Sequence, residues 1–110
     1  MKLPHPERAV IAPDKLIQYL LNTRHRRGGH KARVLEDFGY RSNFWQQLRD
    51  DILRFHLRAD VGTVRQTAYG TRYEIRSPLQ TPSGRMLMIR TVWQIDEGTD
   101  FPRLITLFPD

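Results

Sequence analysis

Apolar residues recur at helical spacing through the first half of the chain and alternate with polar ones through the second. Leu16, Ile17, Leu20 and Leu21 predict a helix over about 13–22. Pro13 suits its first position, and Asp14 places a negative charge in the first turn, where the helix dipole favours one. The preceding residues 1–12, with two prolines before Ala9-Val10-Ile11-Ala12, read as an extended arm or a short strand. A second helix is expected over 30–38, with Ala32, Leu35 and Phe38 on one side and Gly39 as its C-terminal cap. Ser42 or Asn43 then caps a third, whose stripe of Trp45, Leu48, Ile52 and Phe55 runs to an end near 59–62. From there the period changes. Residues 63–68 form a weak strand, Arg72–Ser77 alternate, and Pro82-Ser83-Gly84 make a hairpin turn. Residues 85–95 are the strongest strand, with Leu87, Ile89, Thr91, Trp93 and Ile95 on one face and Met86, Met88, Arg90 and Val92 on the other. An acidic turn over 96–100 leads to a last strand over 103–108. Helices followed by strands on short turns predict an α+β fold, N-terminal helices packed on a C-terminal three- to four-stranded antiparallel sheet, with 1–110 as a single domain.

Composition narrows the chemistry. The absence of cysteine excludes disulfides, thiol catalysis and Cys-ligated metal sites. No apolar run approaches the roughly 20 residues of a membrane span, and the first residues lack a signal-peptide core, so the expected place of action is the cytoplasm, with no membrane partner. Eighteen Lys and Arg against twelve Asp and Glu give a net charge of +6. Fifteen of those cations are Arg, which forks onto phosphate where Lys acts as a point charge.

The cations cluster. Arg24-His25-Arg26-Arg27-Gly28-Gly29-His30-Lys31-Ala32-Arg33 holds five cations and two histidines with no acid. A glycine pair delivers this loop into a helix N-terminus, whose free N–H groups favour an anion. Lys31 and Arg33 oppose the dipole there, which a bound phosphate would explain and helix stability would not; a merely solvated basic loop is the plain alternative. No nucleotide P-loop pattern is present. His25 is the candidate for acid–base work, whereas His30 reads as a surface residue, and His5 and His56 as bystanders on a tail and a helix surface. The adjacent pairs Asp50-Asp51 and Glu36-Asp37 diverge on a helix, so neither a two-metal centre nor any cofactor is expected. Without a metal, phosphodiester cleavage is open for RNA, whose 2′-hydroxyl is the nucleophile. On the sheet, Tyr73, Arg76, Arg90, Thr91, Trp93 and Arg103 are the residues that offer a stacking or charged platform, although the core is the stronger reading for Trp93 and Tyr73.

Taken in order, Lys15-Leu16-x-x-Tyr19-Leu20-Leu21-Asn22, His25, Gly28-x-x-Lys31-Ala32-Arg33, Tyr69-Gly70-x-x-Tyr73-Glu74, Gly84-Arg85, Arg90-Thr91-x-Trp93 and Pro102-Arg103-Leu104-Ile105-Thr106 resemble a small bacterial family of unknown function. Its members occur as standalone proteins and at the C-termini of polymorphic toxins. The chain departs from it at Thr23 and Arg26, where prolines are usual, and at Leu35, where Phe is common. The resemblance implies a toxin context and, by fold analogy, a ribonuclease-toxin-like architecture. The expectation is a metal-independent ribonuclease of bacterial toxin type. Its catalytic candidates are His25, Lys31, Arg33, Tyr73, Thr91 and Arg103, with Arg24, Arg26, Arg27, His30 and Arg90 binding RNA. The alternatives are a non-catalytic basic module that binds RNA or a toxin–antitoxin partner, and an immunity-type protein, against which the positive charge argues. A cognate antitoxin or immunity protein is the expected protein partner.

Overall fold

The alternating half of the chain forms a four-stranded antiparallel sheet in the computed structural model, which describes residues 1–27 and 29–110. Strands β1 (Val61–Thr67), β2 (Gly70–Gln80), β3 (Met86–Asp96) and β4 (Arg103–Pro109) lie side by side in chain order. β2 and β3 pair along their whole length, from Gly70 opposite Asp96 to Gln80 opposite Met86. On β4 the register shifts: Val92 faces Thr106 and Trp93 faces Leu104, so Ile105 is an extra residue.

The helices cover one face of this sheet, giving an α+β fold. α1 (Gly29–Asp37) and α2 (Trp45–Arg54) send Leu35, Leu48 and Ile52 into a core with Ile75, Ile89, Trp93 and Leu107, all fully buried. Gly39 ends α1 as expected: its φ of 101° lets the Tyr40 N–H reach the Leu35 carbonyl at 3.0 Å. The hairpin turn docks there too, with the Ser83 N–H donating to the Phe38 carbonyl.

Three local expectations change. The first helical stretch adopts π winding over Lys15–Leu20, closed by the Leu21 N–H on the Leu16 carbonyl at 2.7 Å. That i→i+5 spacing turns Leu16, Leu20 and Leu21 inward and leaves Ile17 38% exposed. Of the two readings of residues 1–12, the short strand survives as a single parallel bridge from Val10 to Arg103 on the outer edge of β4, with Leu3 and Ile11 buried and a 3-10 turn over Pro6–Arg8. Neither Ser42 nor Asn43 caps α2; they lie in a 3-10 turn (Ser42–Phe44) before it. At the other end α2 gives way to a second 3-10 turn, His56–Arg58, which directs His56 and Leu57 inward and leaves Phe55 exposed. His56 is therefore a core residue, not a surface one.

Among the described residues no helix covers the second face of the sheet. Cross-strand rows run Arg65–Arg72–Gln94–Arg103, then Thr63–Glu74–Val92–Thr106, then Arg76–Arg90–Phe108. Five guanidinium groups on one face are a surface that an apolar helix would have to desolvate at great cost.

Candidate functional site

Lys31, in the first turn of α1, reaches past β4 and ends among neutral groups. Its Nζ donates to the Tyr19 hydroxyl at 3.2 Å and to Thr106 Oγ1 at 3.4 Å. It also lies 5.3 Å from the Tyr19 ring centroid and 5.4 Å from that of Phe108. The side chain is half-buried and forms no ion pair among the described residues. Hydroxyl oxygens and ring faces hold an ammonium without neutralising it, so the full charge is available to an anion.

His25 packs edge-on against the other side of this cluster, its ring centroid 4.7 Å from that of Tyr19 at 82°. Its Nδ1 accepts the Arg27 backbone N–H at 3.1 Å, so in the neutral ring the proton sits on Nε2. The turn that sets this geometry is tight: His25 N–H binds the Asn22 carbonyl and Gly29 N–H binds the His25 carbonyl at 2.9 Å. Gly29 is buried here for lack of space, since a Cβ would stand 2.7 Å from the Thr23 carbonyl oxygen. The expected flexible glycine pair is thus, at Gly29, a close backbone approach; Gly28 lies outside the described residues.

Thr106 joins this cluster to the uncovered sheet face. There Thr63, Arg65, Arg72, Glu74, Ile105 and Thr106 surround Val92 in a cleft of about 230 Å³. Arg103 flanks it but is engaged, its Nε on Asp96 Oδ2 at 2.7 Å and its Nη2 on Oδ1 at 3.2 Å. Arg103 and Gln94 together hold the Asp96 carboxyl below the usual range. Arg90 lies on the same face, 5.9 Å from the Phe108 centroid, with Asp110 as its ion-pair partner at 3.0 Å.

The sequence-predicted residues thus divide. His25 and Lys31 come together around Tyr19, and Arg90 and Arg103 share the uncovered face. Arg24, Arg26, Arg27, His30 and Arg33 are exposed on the loop and on α1. Tyr73 and Thr91 stand apart, on the core face. Thr91 is fully buried and bridges Trp93 Nε1 at 2.8 Å to His56 Nε2 at 2.7 Å. Tyr73 belongs to the apolar core. Sequence reasoning missed Tyr19, Thr106, Phe108 and Glu74. Tyr19, Glu74 and Thr106 stand in stretches that carry the family resemblance, and the signal for Phe108 was its alternation along the last strand. Among the described residues no three His, Asp or Glu side chains are grouped to hold a metal, and no helix is long and apolar enough to cross a membrane.

Residues 2–110 match a domain-of-unknown-function family, DUF6883. The chain belongs to that family. No curated protein matches it significantly. Among solved structures, this DUF6883 chain is similar to one described as a contact-dependent growth inhibition toxin–immunity protein complex from Klebsiella pneumoniae 342. The TM-score is 0.71 at 14% identity, over 92% of this chain and 99% of the other. At that identity the likeness establishes a shared fold for this DUF6883 member.

Proposed function

We propose that the chain is the toxin member of a toxin–immunity pair and acts as a metal-independent ribonuclease. The observation that carries this reading is Lys31, a half-buried ammonium that among the described residues is held by hydroxyls and ring faces, at the junction of the basic loop and the uncovered sheet face. In this reading Lys31 and Thr106 hold the scissile phosphate. The 2′-hydroxyl oxygen attacks phosphorus, its proton passes to Glu74 in the cleft, and the bond to the 5′-oxygen breaks to leave a 2′,3′-cyclic phosphate. In this reading His25 approaches the phosphate from its place beside Tyr19. As a neutral ring it donates from Nε2 to a phosphate oxygen. Delivering a proton to the leaving 5′-oxygen needs the imidazolium, whose Nδ1–H must displace the Arg27 amide. The exposed Arg24, Arg26, Arg27 and Arg33 extend the electrostatic footprint along the strand. The neighbour's description covers an immunity protein as well as a toxin. A net charge of +6 favours the toxin side, because a protein that shields a phosphate-binding surface presents acid to it.

The test is purified chain on total RNA in EDTA, beside His25→Ala and Lys31→Ala. Each substitution should cost about 10²–10⁴ in rate, the usual range for losing a proton-transfer group or a charge clamp on the transition state. Products should end in 2′,3′-cyclic phosphate, and a 2′-deoxy substrate should resist. Cleavage that requires Mg²⁺, or that survives both substitutions, overturns the assignment. Salt-sensitive RNA binding without cleavage by the wild type makes the chain a binding module instead.

A further inference from the structure

Arg76 and Arg90 stand directly opposite each other on β2 and β3, on the same face as Thr106 and Phe108. Like charges at facing positions repel, so this pair needs an anion between them. Asp110, held by its backbone N–H on the Met88 carbonyl, supplies one: a single oxygen, Oδ2, takes Arg76 Nε at 2.5 Å and Arg90 Nη2 at 3.0 Å. The fit is incomplete. Among the described residues Arg90 Nε is buried without a hydrogen-bond partner, so the guanidinium fork that would grip an oxyanion through Nε and Nη2 together is half used. Phe108 connects this place to the site above, with Lys31 Nζ 5.4 Å and Arg90 Cζ 5.9 Å from its centroid. A base lying against that ring has a phosphate on its 5′ side and another on its 3′ side.

We infer that Arg76, Arg90 and Phe108 form a second phosphodiester subsite for single-stranded RNA, and that the Asp110 carboxylate is a built-in stand-in which the RNA backbone displaces. A tetrahedral phosphodiester offers two non-bridging oxygens where Asp110 gives one, and so fills both arms of the Arg90 fork. This inference rests on the ribonuclease reading and extends it by one nucleotide along the strand. Glu74, on the row between this pair and Arg72, keeps the surface from being uniformly cationic and restricts the strand's path.

The experiment is fluorescence anisotropy with a short labelled 2′-O-methyl oligoribonucleotide, which the enzyme cannot cleave, over a series of KCl concentrations. Wild type is compared with Asp110→Asn, Arg76→Gln and Lys31→Ala, each checked for a cooperative thermal transition. Asp110→Asn should bind about threefold tighter, the scale of an exposed ion pair's contribution. Its log–log salt dependence should steepen by about 0.7, one added single-strand phosphate contact. Arg76→Gln, on an exposed side chain, should bind more weakly than wild type, and serves as the test if Asp110→Asn fails to fold. Unchanged or weaker binding by Asp110→Asn, or unchanged binding by Arg76→Gln, overturns the second subsite. If Lys31→Ala still weakens binding in that case, the ribonuclease reading stands alone. Equal binding by wild type and Lys31→Ala, or no binding by any variant, overturns both.

Discussion

His56 and Lys31 are both charged or chargeable groups withdrawn from water, and their surroundings treat them oppositely. His56 is 1% exposed, with Nε2 on Thr91 and Nδ1 on Ser77 at 2.8 Å. Trp93 donates to Thr91 Oγ1, and the Thr91 hydroxyl pairs in turn with His56 Nε2. Burial pushes the ring's pKa down from 6.5 to about 4, against a smaller upward pull from the Ile75 backbone. The unfolded chain therefore binds a proton that the folded chain refuses between those values. Stability is full above pH 6.5 and falls as pH drops towards about 4, by about 3 kcal/mol in all. Urea unfolding across that range should reveal the slope, and His56→Gln should flatten it; an equal slope in the variant would place the titration elsewhere. Nothing in the sequence marked His56 as buried, because the stripe of α2 was extrapolated through Phe55 and the chain changes winding at Arg54. Lys31 was legible because its charge opposes the helix dipole. Its partners were not, since Thr106 is 75 residues away and only the register of β4 brings it there.

At the level of elements, the strands followed from alternation, and the full pairing of β2 with β3 is what a short Pro-Ser-Gly turn imposes. The π-wound stretch was hidden, because Leu16, Leu20 and Leu21 satisfy an ordinary helical period almost as well. The loop into α1 was read as flexible where its geometry at Gly29 depends on close approach. That difference makes an opposite forecast for Gly29→Ala. In an open helix start, alanine would stabilise by up to about 1 kcal/mol. Here its methyl group would meet the Thr23 carbonyl at 2.7 Å, and a backbone oxygen cannot swing aside as a side chain does. The expected result is destabilisation of about 1–3 kcal/mol, the usual cost of overpacking. Because the Gly29 N–H holds the His25 carbonyl, RNA cleavage should fall as well, measured at a temperature where the variant is fully folded. A stabilised Gly29→Ala with full activity would show that the loop yields freely.

Across the whole molecule, the charge is divided between two surfaces that meet at Lys31: the exposed Arg24, Arg26 and Arg27 on the loop, and the guanidinium rows of the uncovered sheet face. The carboxylates on that face are already taken up in part, Asp96 by Arg103 and Asp110 by Arg76 and Arg90. The loop arginines have no acid beside them in the sequence from Arg24 to Arg33. The two surfaces should therefore contribute differently. In the proposed RNA complex the sheet-face cations exchange one anion for another, whereas the loop cations release counterions. Replacing Arg24, Arg26 and Arg27 together by Ala should flatten the log–log salt dependence of RNA binding by about two, at ~0.7 per single-strand phosphate. Affinity should drop steeply at low salt and little at high salt, where counterion release no longer drives binding. In the proposed reaction the scissile phosphate meets Lys31, Thr106, Glu74 and His25, so the triple variant should raise KM and leave kcat near the wild-type value. Lys31→Ala should lower kcat under the same conditions. A triple variant with an unchanged slope would put the RNA on the sheet face alone, and one that loses kcat as well would draw the loop arginines into the reaction itself.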